Sequence, residues 1–302
     1  MRKNRNKNLL LHINGGLGKV IMATAVIRSY KLLFPKAKII VVSAYPEVFL
    51  NNPDIYRFFS FNVPYLWKDY YSNPEWTVFA QDPYFEEEWI KNEKIHLIDL
   101  WCKMLRIPSV QKTPLLFFSS AEVEDYKKIV TATKPTVFVQ STGGANPQYT
   151  SWTRNVPTDE LDEFLKKYYA DTHHIIHVCL ATTPVLSSVT ERMENLSRRQ
   201  AMGLMHYGNE VVGIDSYALH ARVANPNRGK STFFFPLEDS VQRLSYEGNN
   251  IFNIIPSEEV RNLIHNHHDY YSTVFKYSIE DESENCPIPI GMKWFDVFSD
   301  LN

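Results

Sequence analysis

The chain has 302 residues, 44% hydrophobic and 14% aromatic, with a formal net charge of -2. That is enough for two cores of ordinary domain size, about 150 residues each, and the near-balanced charge gives no global nucleic-acid footprint. Cys102, Cys179 and Cys286 are far apart and odd in number, against a disulfide framework or a cysteine zinc site, and no apolar run is long enough for a signal h-region or a membrane span, so the sequence reads as a cytoplasmic protein.

The first strong pattern is Leu9 to Phe34. An apolar run, Leu9 to Ile13, enters a glycine-rich turn, Asn14 to Gly18, after which Val20, Thr24, Ile27 and Lys31 recur at helical spacing. Strand, tight turn and helix follow, with glycines that permit positive φ and the close approach of a ligand. Neither nucleotide motif is intact there. A Walker loop fails because Ile13 holds the first glycine position and Val20 follows Lys19; the dinucleotide fingerprint fails at Ile21, its third glycine position.

Lys38 to Val42 is predicted to be a second parallel strand. Ala44 to Pro83 is irregular, with apolar pieces at Arg57 to Phe61 and Thr77 to Ala80 that suit further strands. A helix is predicted over His96 to Leu105, and Ser119-x-x-Glu122 is a capping box that opens another, to about Val130. Lys134-Pro135 breaks the pattern, so domains of 1–133 and 134–302 are expected. In the second, Thr136 to Gln140 is a strand, followed by a polar loop with Gly143-Gly144 and a helix capped by Thr158. Strands at Ile175 to Leu180, Glu210 to Ile214 and Ser231 to Phe235 alternate with helices after Ser197-x-x-Gln200, from Tyr217 to Ala224, and after Ser257. Met292 to Leu301 is an amphipathic end piece, expected to pack back on the first domain. The fold class is α/β with two Rossmann-like domains.

Three segments, in order, resemble glycosyltransferase family 9, the ADP-heptose:lipopolysaccharide heptosyltransferases. Gly16-Leu-Gly-Lys-Val-Ile-Met-Ala-Thr-Ala-Val-Ile-Arg-Ser-Tyr-Lys-Leu-Leu-Phe-Pro35 is similar to the family's opening, a Gly-Asp turn before a helix that ends in Phe-Pro. Val212-Gly-Ile-Asp-Ser-Tyr-Ala-Leu-His-Ala221 resembles its Asp-Ser/Thr-Gly-x-x-His-x-Ala signature, and Asn155 to Leu165 its Trp-Pro-x-x-x-x-x-x-Leu helix start, with Val156 in place of Trp. Asn51 to Phe118 matches nothing in the family. The resemblance implies two facing Rossmann-like domains of GT-B type, a nucleotide-sugar donor as co-substrate, no cofactor, and inversion by single displacement.

Loss of a diphosphate leaving group needs positive charge or N–H groups, and a helix N-terminus at a strand's carboxyl end offers them. Backbone groups of Ser216, Tyr217 and Ala218 are therefore assigned to phosphate, and Asp215 to sugar hydroxyls or to holding the turn. An N-cap is the plain structural role for Asp215, and a structural hydrogen bond that for His220, whose other role is phosphate contact. By resemblance Ser141 and Thr142 are further phosphate contacts, Arg154 replaces a family lysine, and Leu196 and the Ala181 to Thr183 loop hold the nucleoside. Asn14, Gly15, Gly16 and Gly18 line the acceptor side. Lys19 stands where the family has an aspartate that resembles a general base; near its ordinary pKa of about 10.4 a lysine is protonated and cannot take the acceptor's proton. Asp82 is taken as the replacement carboxylate, with Glu86 and Asp69 as further candidates, and Lys19 as an anion-binding partner.

Neither His173, His174 and His177 nor His265, His267 and His268 has ligand spacing with a nearby acid, and the chain contains no Asp-x-Asp. No metal site is expected. The Trp- and Tyr-rich stretch from Tyr65 to Trp89 suits either stacking on sugars or bases, or packing on its own domain. The expected acceptor is a lipopolysaccharide-type glycan; a hydroxymethylated DNA base and a catalytically silent nucleotide-sugar-binding protein are the alternatives.

Overall fold

The computed structural model describes residues 8–85, 94–130, 134–143, 155–248, 250–266, 286 and 288–295. The chain divides into two compact units, Met1–Ser119 and Ser120–Asn302.

In the first unit four parallel strands lie in the order β3-β2-β1-β4: β1 Asn8–Ile13, β2 Ile39–Ser43, β3 Arg57–Phe59 and β4 Trp76–Phe79. Leu9, Leu10 and Leu11 are all buried, because β1 lies between two strands and is covered on both faces. A central parallel strand therefore reads as an unbroken apolar run rather than an alternating one. Helix α1, Leu17–Leu33, is likewise buried on most sides, from Lys19 through Ile27 and again at Ser29 and Tyr30. It packs beside α2, Leu97–Met104, and two of its hydroxyls organise the segment that follows α2. Ser29 Oγ accepts the amides of Val110 and Gln111 at 3.2 and 3.0 Å, and Thr24 Oγ1 that of Leu115 at 2.8 Å. A second core holds Leu10, Ile40 and Val42 against Leu66 and Tyr70; those last two belong to a π-helical turn, Trp67–Tyr71, and its approach.

The second unit begins with α3, Ser120–Val130, which packs on α5, Arg198–Tyr207. Its sheet has six parallel strands in the order β10-β9-β8-β5-β6-β7. These are β5 Thr136–Val139, β6 His174–Cys179, β7 Glu191–Glu194, β8 Glu210–Ile214, β9 Ser231–Phe234 and β10 Ile251–Ile254. The remaining helices are α4 Thr158–Tyr168, α6 Tyr217–Val223, α7 Glu238–Leu244 and α8 Glu258–His265. Strands β7 and β10 and helix α7 lie outside the sequence expectation.

Cap positions differ in detail. Ser197 and Gln200 form the expected capping box, and Ser257 caps α8. Pro157, with no side-chain acceptor, is the N-cap of α4, so Thr158 is its first helical residue and not its cap. Arg222 on α6 is fully buried, and its guanidinium bonds the carbonyls of Gly208 at 2.6 Å and Asn209 at 2.8 Å, and Ser231 Oγ at 2.9 Å. It thereby satisfies the orphan carbonyls beyond the C-terminus of α5. Burial lowers its pKa to about 10. The described end of the chain packs on the second unit: Glu160 accepts the amides of Trp294 and Phe295 at 2.8 and 2.9 Å, and Phe295 joins the core with Phe164 and Phe234. Residues 296–302 of the expected end piece lie outside the described residues.

Candidate functional site

Both sheets reverse direction of growth at one point. In the first, β2 and β3 lie to one side of β1 and β4 to the other; in the second, β6 and β7 lie to one side of β5, and β8, β9 and β10 to the other. Open α/β sheets place ligands outside the carboxyl ends of the strands at such a switch point, because the flanking loops turn opposite ways there and leave a crevice. Polar side chains gather at each.

In the first unit the crevice separates the loop after β1 from the loop after β4. Gly16 is the N-cap of α1, and Lys19, in its first turn, turns inward and is only 3% exposed. Its ammonium donates to both oxygens of Asp82, at 2.8 and 2.6 Å, and lies 4.5 Å from the centre of the Tyr84 ring. Asp82 also accepts the amide of Tyr84 at 3.0 Å, and its side chain is 13% exposed. Gly15 has φ of +102°, and a Cβ there would come within 2.6 Å of Lys19 Nζ. The positive φ favours glycine there, and the end of the lysine side chain crosses the space a Cβ would take. The two residues assigned to catalysis from sequence in this unit are brought together across 63 positions. Asn14 is exposed beside them, and its Oδ1 lies 3.1 Å from His12 Nε2. Asp69 sits on the π-helical turn, and Glu86 lies outside the described residues.

In the second unit the crevice lies between β5 and β8. Gln140 and Ser141 follow β5, Asp215 and Ser216 follow β8, and Ser216 Oγ donates to Gln140 Oε1 across the gap. The Gln140 amide donates in turn to the Thr142 carbonyl, and the Gly143 amide to Asn155 Oδ1 at 3.0 Å. Ser141 Oγ is 2.8 Å from Nε2 of His177, a fully buried ring whose pKa burial lowers to about 4, so it is neutral at physiological pH. Ser216, not Asp215, is the N-cap of α6, its hydroxyl accepting from the Ala218 amide at 3.3 Å. Of the three amides assigned to phosphate, that of Ala218 is therefore already bonded. The Asp215 amide donates to Phe234 at 3.2 Å. His220 is buried in α6 with Nδ1 2.8 Å from the Tyr246 hydroxyl.

The loop assigned to the nucleoside is braced from below. Arg192 on β7 reaches the carbonyls of Leu180, Thr183 and Pro184 at 3.4, 3.1 and 3.3 Å, and pairs with Glu194 at 2.9 Å. Leu196 is half-buried just beyond Glu194. Arg154 lies outside the described residues. The contacts made by Gln140, Asn155, His177 and Arg192 are not read from the sequence, because each joins separate segments of the chain and depends on strand order as well as strand existence.

An open cavity of about 930 Å³, lined by Asn8, Lys36, Lys38, Thr77 and Arg106 among others, lies at the amino-terminal edge of the first sheet, away from the switch point. Its place is wrong for the chemistry of an α/β sheet. Among the described residues no group of three or more His, Cys, Asp or Glu is arranged to hold a metal ion. His173 faces Glu210 at 3.6 Å and His174 faces Glu191 at 3.2 Å, while His177 turns to Ser141. No helix among the described residues is long and apolar enough to cross a membrane.

These two sheets define the fold as the GT-B type, two Rossmann-like units in one chain. Solved structures with that fold are similar to this chain over most of its length. E. coli ADP-heptose lps heptosyltransferase II matches at 12% identity over 82% of this chain and 90% of its own, with a TM-score of 0.60. A glycosyl transferase of family 9 from Veillonella parvula matches at 9% identity over 90% and 94%, with a TM-score of 0.62. E. coli heptosyltransferase WaaC with ADP matches at 11% identity over 83% and 93%, with a TM-score of 0.54. No protein-family model matches the sequence, and no curated protein matches it.

Proposed function

We propose that the protein is a glycosyltransferase of the family 9 kind, moving a sugar from a nucleotide-sugar to an acceptor hydroxyl in the cytoplasm. The observation that carries this is the polar bridge at the second sheet's switch point, Ser216 to Gln140 with Ser141 and Thr142 beside it, in a fold like that of the heptosyltransferases. The second unit holds the donor. Its diphosphate meets Ser141, Thr142, the backbone at Ser216 and Tyr217, and Arg154, whose fork suits two phosphate oxygens; Asp215 takes sugar hydroxyls. Its base lies on the Arg192-braced loop near Leu196. The neighbour solved with ADP makes an adenine nucleotide the first candidate.

The first unit holds the acceptor, a glycan. Asp82 supplies the carboxylate that the sequence of the glycine turn lacks, and takes the proton of the attacking hydroxyl. Lys19 is a positioning residue: it fixes both oxygens of the carboxylate, which keeps a little exposure to solvent. Displacement is direct and inverts the anomeric centre, with no metal, the leaving diphosphate being stabilised by protein groups.

Thermal unfolding with ADP, UDP, GDP and CDP and their sugar conjugates tests the donor half. A bound nucleotide at a hundredfold excess over its dissociation constant stabilises by about 2.7 kcal/mol, and ADP or an ADP-sugar is expected to do so. No shift with any of them would sink the assignment.

A further inference from the structure

One aromatic row in the first unit has no part in the chemistry above. It starts at the glycine turn: His12, at the carboxyl end of β1, contacts Asn14 through Nε2 and the Tyr71 hydroxyl through Nδ1. The His12 ring is stacked on Phe61, centroids 5.1 Å apart at 20°, and meets the edge of Tyr71 at 5.9 Å. Trp67 is stacked on Tyr71, centroids 5.9 Å apart at 13°. Trp67 is 71% exposed.

A tryptophan so exposed adds little to the core, yet this one is held in place. Tyr71 backs one face of it. The π-helical turn beneath is pinned by the Ser72 amide and hydroxyl, both donating to the Trp67 carbonyl at 2.9 Å, and by Asn73 Nδ2 on the Asp69 carbonyl at 3.2 Å. Such turns recur at functional sites. A flat, pre-placed aromatic face loses little freedom when a ligand covers it.

Resting on the acceptor role proposed for this unit, we propose that Trp67 is the stacking platform of an acceptor subsite for a neutral glycan. The negative face of an indole attracts the polarised C–H groups on the less substituted face of a sugar ring. Asn14, Lys68 and Asp69 stand nearby on the same two segments to meet hydroxyls. A stacked nucleobase needs the same face but also cations for its phosphates. Around this turn Lys68 and Arg57, which donates to the Tyr70 hydroxyl at 2.8 Å, stand against Asp69 and Glu75, and Lys19 is matched by Asp82, so the local charge is balanced and offers no excess of cations. The row leads from Trp67 to Asn14, at the turn that carries Lys19. A glycan on the indole therefore extends toward Asp82.

Saturation-transfer NMR on the full chain tests this with maltotriose, cellotriose and mannotriose, and with a deoxythymidine decamer as the nucleic-acid probe. At least one trisaccharide is expected to bind. Trp67→Ala should weaken that binding about five- to tenfold, and Trp67→Phe should keep most of it. Both substitutions are at an exposed side chain, and an unchanged melting temperature verifies folding. The platform is overturned if no trisaccharide binds, if Trp67→Ala binds as wild type does, or if the decamer alone depends on Trp67. ADP titrated in parallel separates the two readings: an ADP shift without a saccharide signal removes the platform and leaves the donor site, whereas the reverse removes the donor site.

Discussion

Lys19 and Asp82 place a charge pair where water has little access, and the consequence is asymmetric. Removing one partner leaves the other buried and uncompensated, a loss of about 3–5 kcal/mol for fully buried pairs and less where, as here, one side chain keeps some exposure. Asp82→Asn keeps the shape and an oxygen for the ammonium but cannot accept a proton. Turnover in Asp82→Asn is expected to fall at least 100-fold with ADP affinity unchanged. Lys19→Met keeps the carboxylate, so its loss should be smaller and should show as misplacement of the base. A rate in Lys19→Met below that of Asp82→Asn would move the proton-transfer role to the lysine. Both residues were legible from the sequence, one by its motif and the other as a spare acid. Their pairing was not, because it depends on β4 lying beside β1, with no intervening periodicity to announce it.

At the level of elements, the contact of α3 with α5 turns on a missing side chain. A Cβ on Gly203 would lie 2.1 to 2.6 Å from the Tyr126 ring, which stacks on Tyr207 and sends its hydroxyl to the Arg199 carbonyl at 3.3 Å. Arg199 closes the contact through Glu122 at 2.7 Å. In an open helix Gly→Ala adds up to about 1 kcal/mol of stability. Here overpacking should dominate: Gly203→Ala is expected to destabilise by about 1–3 kcal/mol, read as a lower urea midpoint, and Gly203→Ala with Tyr126→Leu to recover part of it. An unchanged or higher midpoint in the single variant would show that the helices separate without cost. The long helices and central strands of both units were readable because burial on one or both faces imposes a pattern. Strand β7, Glu-Arg-Met-Glu, is an edge with no buried face, β10 is an edge with no buried residue, and α7 has no side-chain cap, so none carries a periodic signal. The same gap hid Arg192, which acts from β7.

Across the whole molecule, acid stability should be limited by histidines rather than by carboxylates alone. His177 and His206 are buried, and burial lowers each pKa from 6.5 to about 4. The unfolded chain takes up both protons as pH falls below 6.5 while the native chain refuses them until about 4. Stability is therefore complete above pH 6.5 and declines between 6.5 and 4, by about 3 kcal/mol for each histidine at the low end. Urea midpoints at pH 7, 5.5 and 4.5 should show it, and His177→Asn should flatten the slope by one proton. A flat profile over this window would mean that these rings reach water or a partner in solution. The Glu160 carboxylate sets a different limit, one of time. Because it grips Trp294 and Phe295, and Phe295 fills the core that Phe164 and Phe234 line, the second unit lacks part of its core until residue 295 has left the ribosome. The first unit ends at Ser119, so synthesis from the amino terminus imposes an order: its chain is made first, and the core of the second unit closes only once Phe295 has emerged.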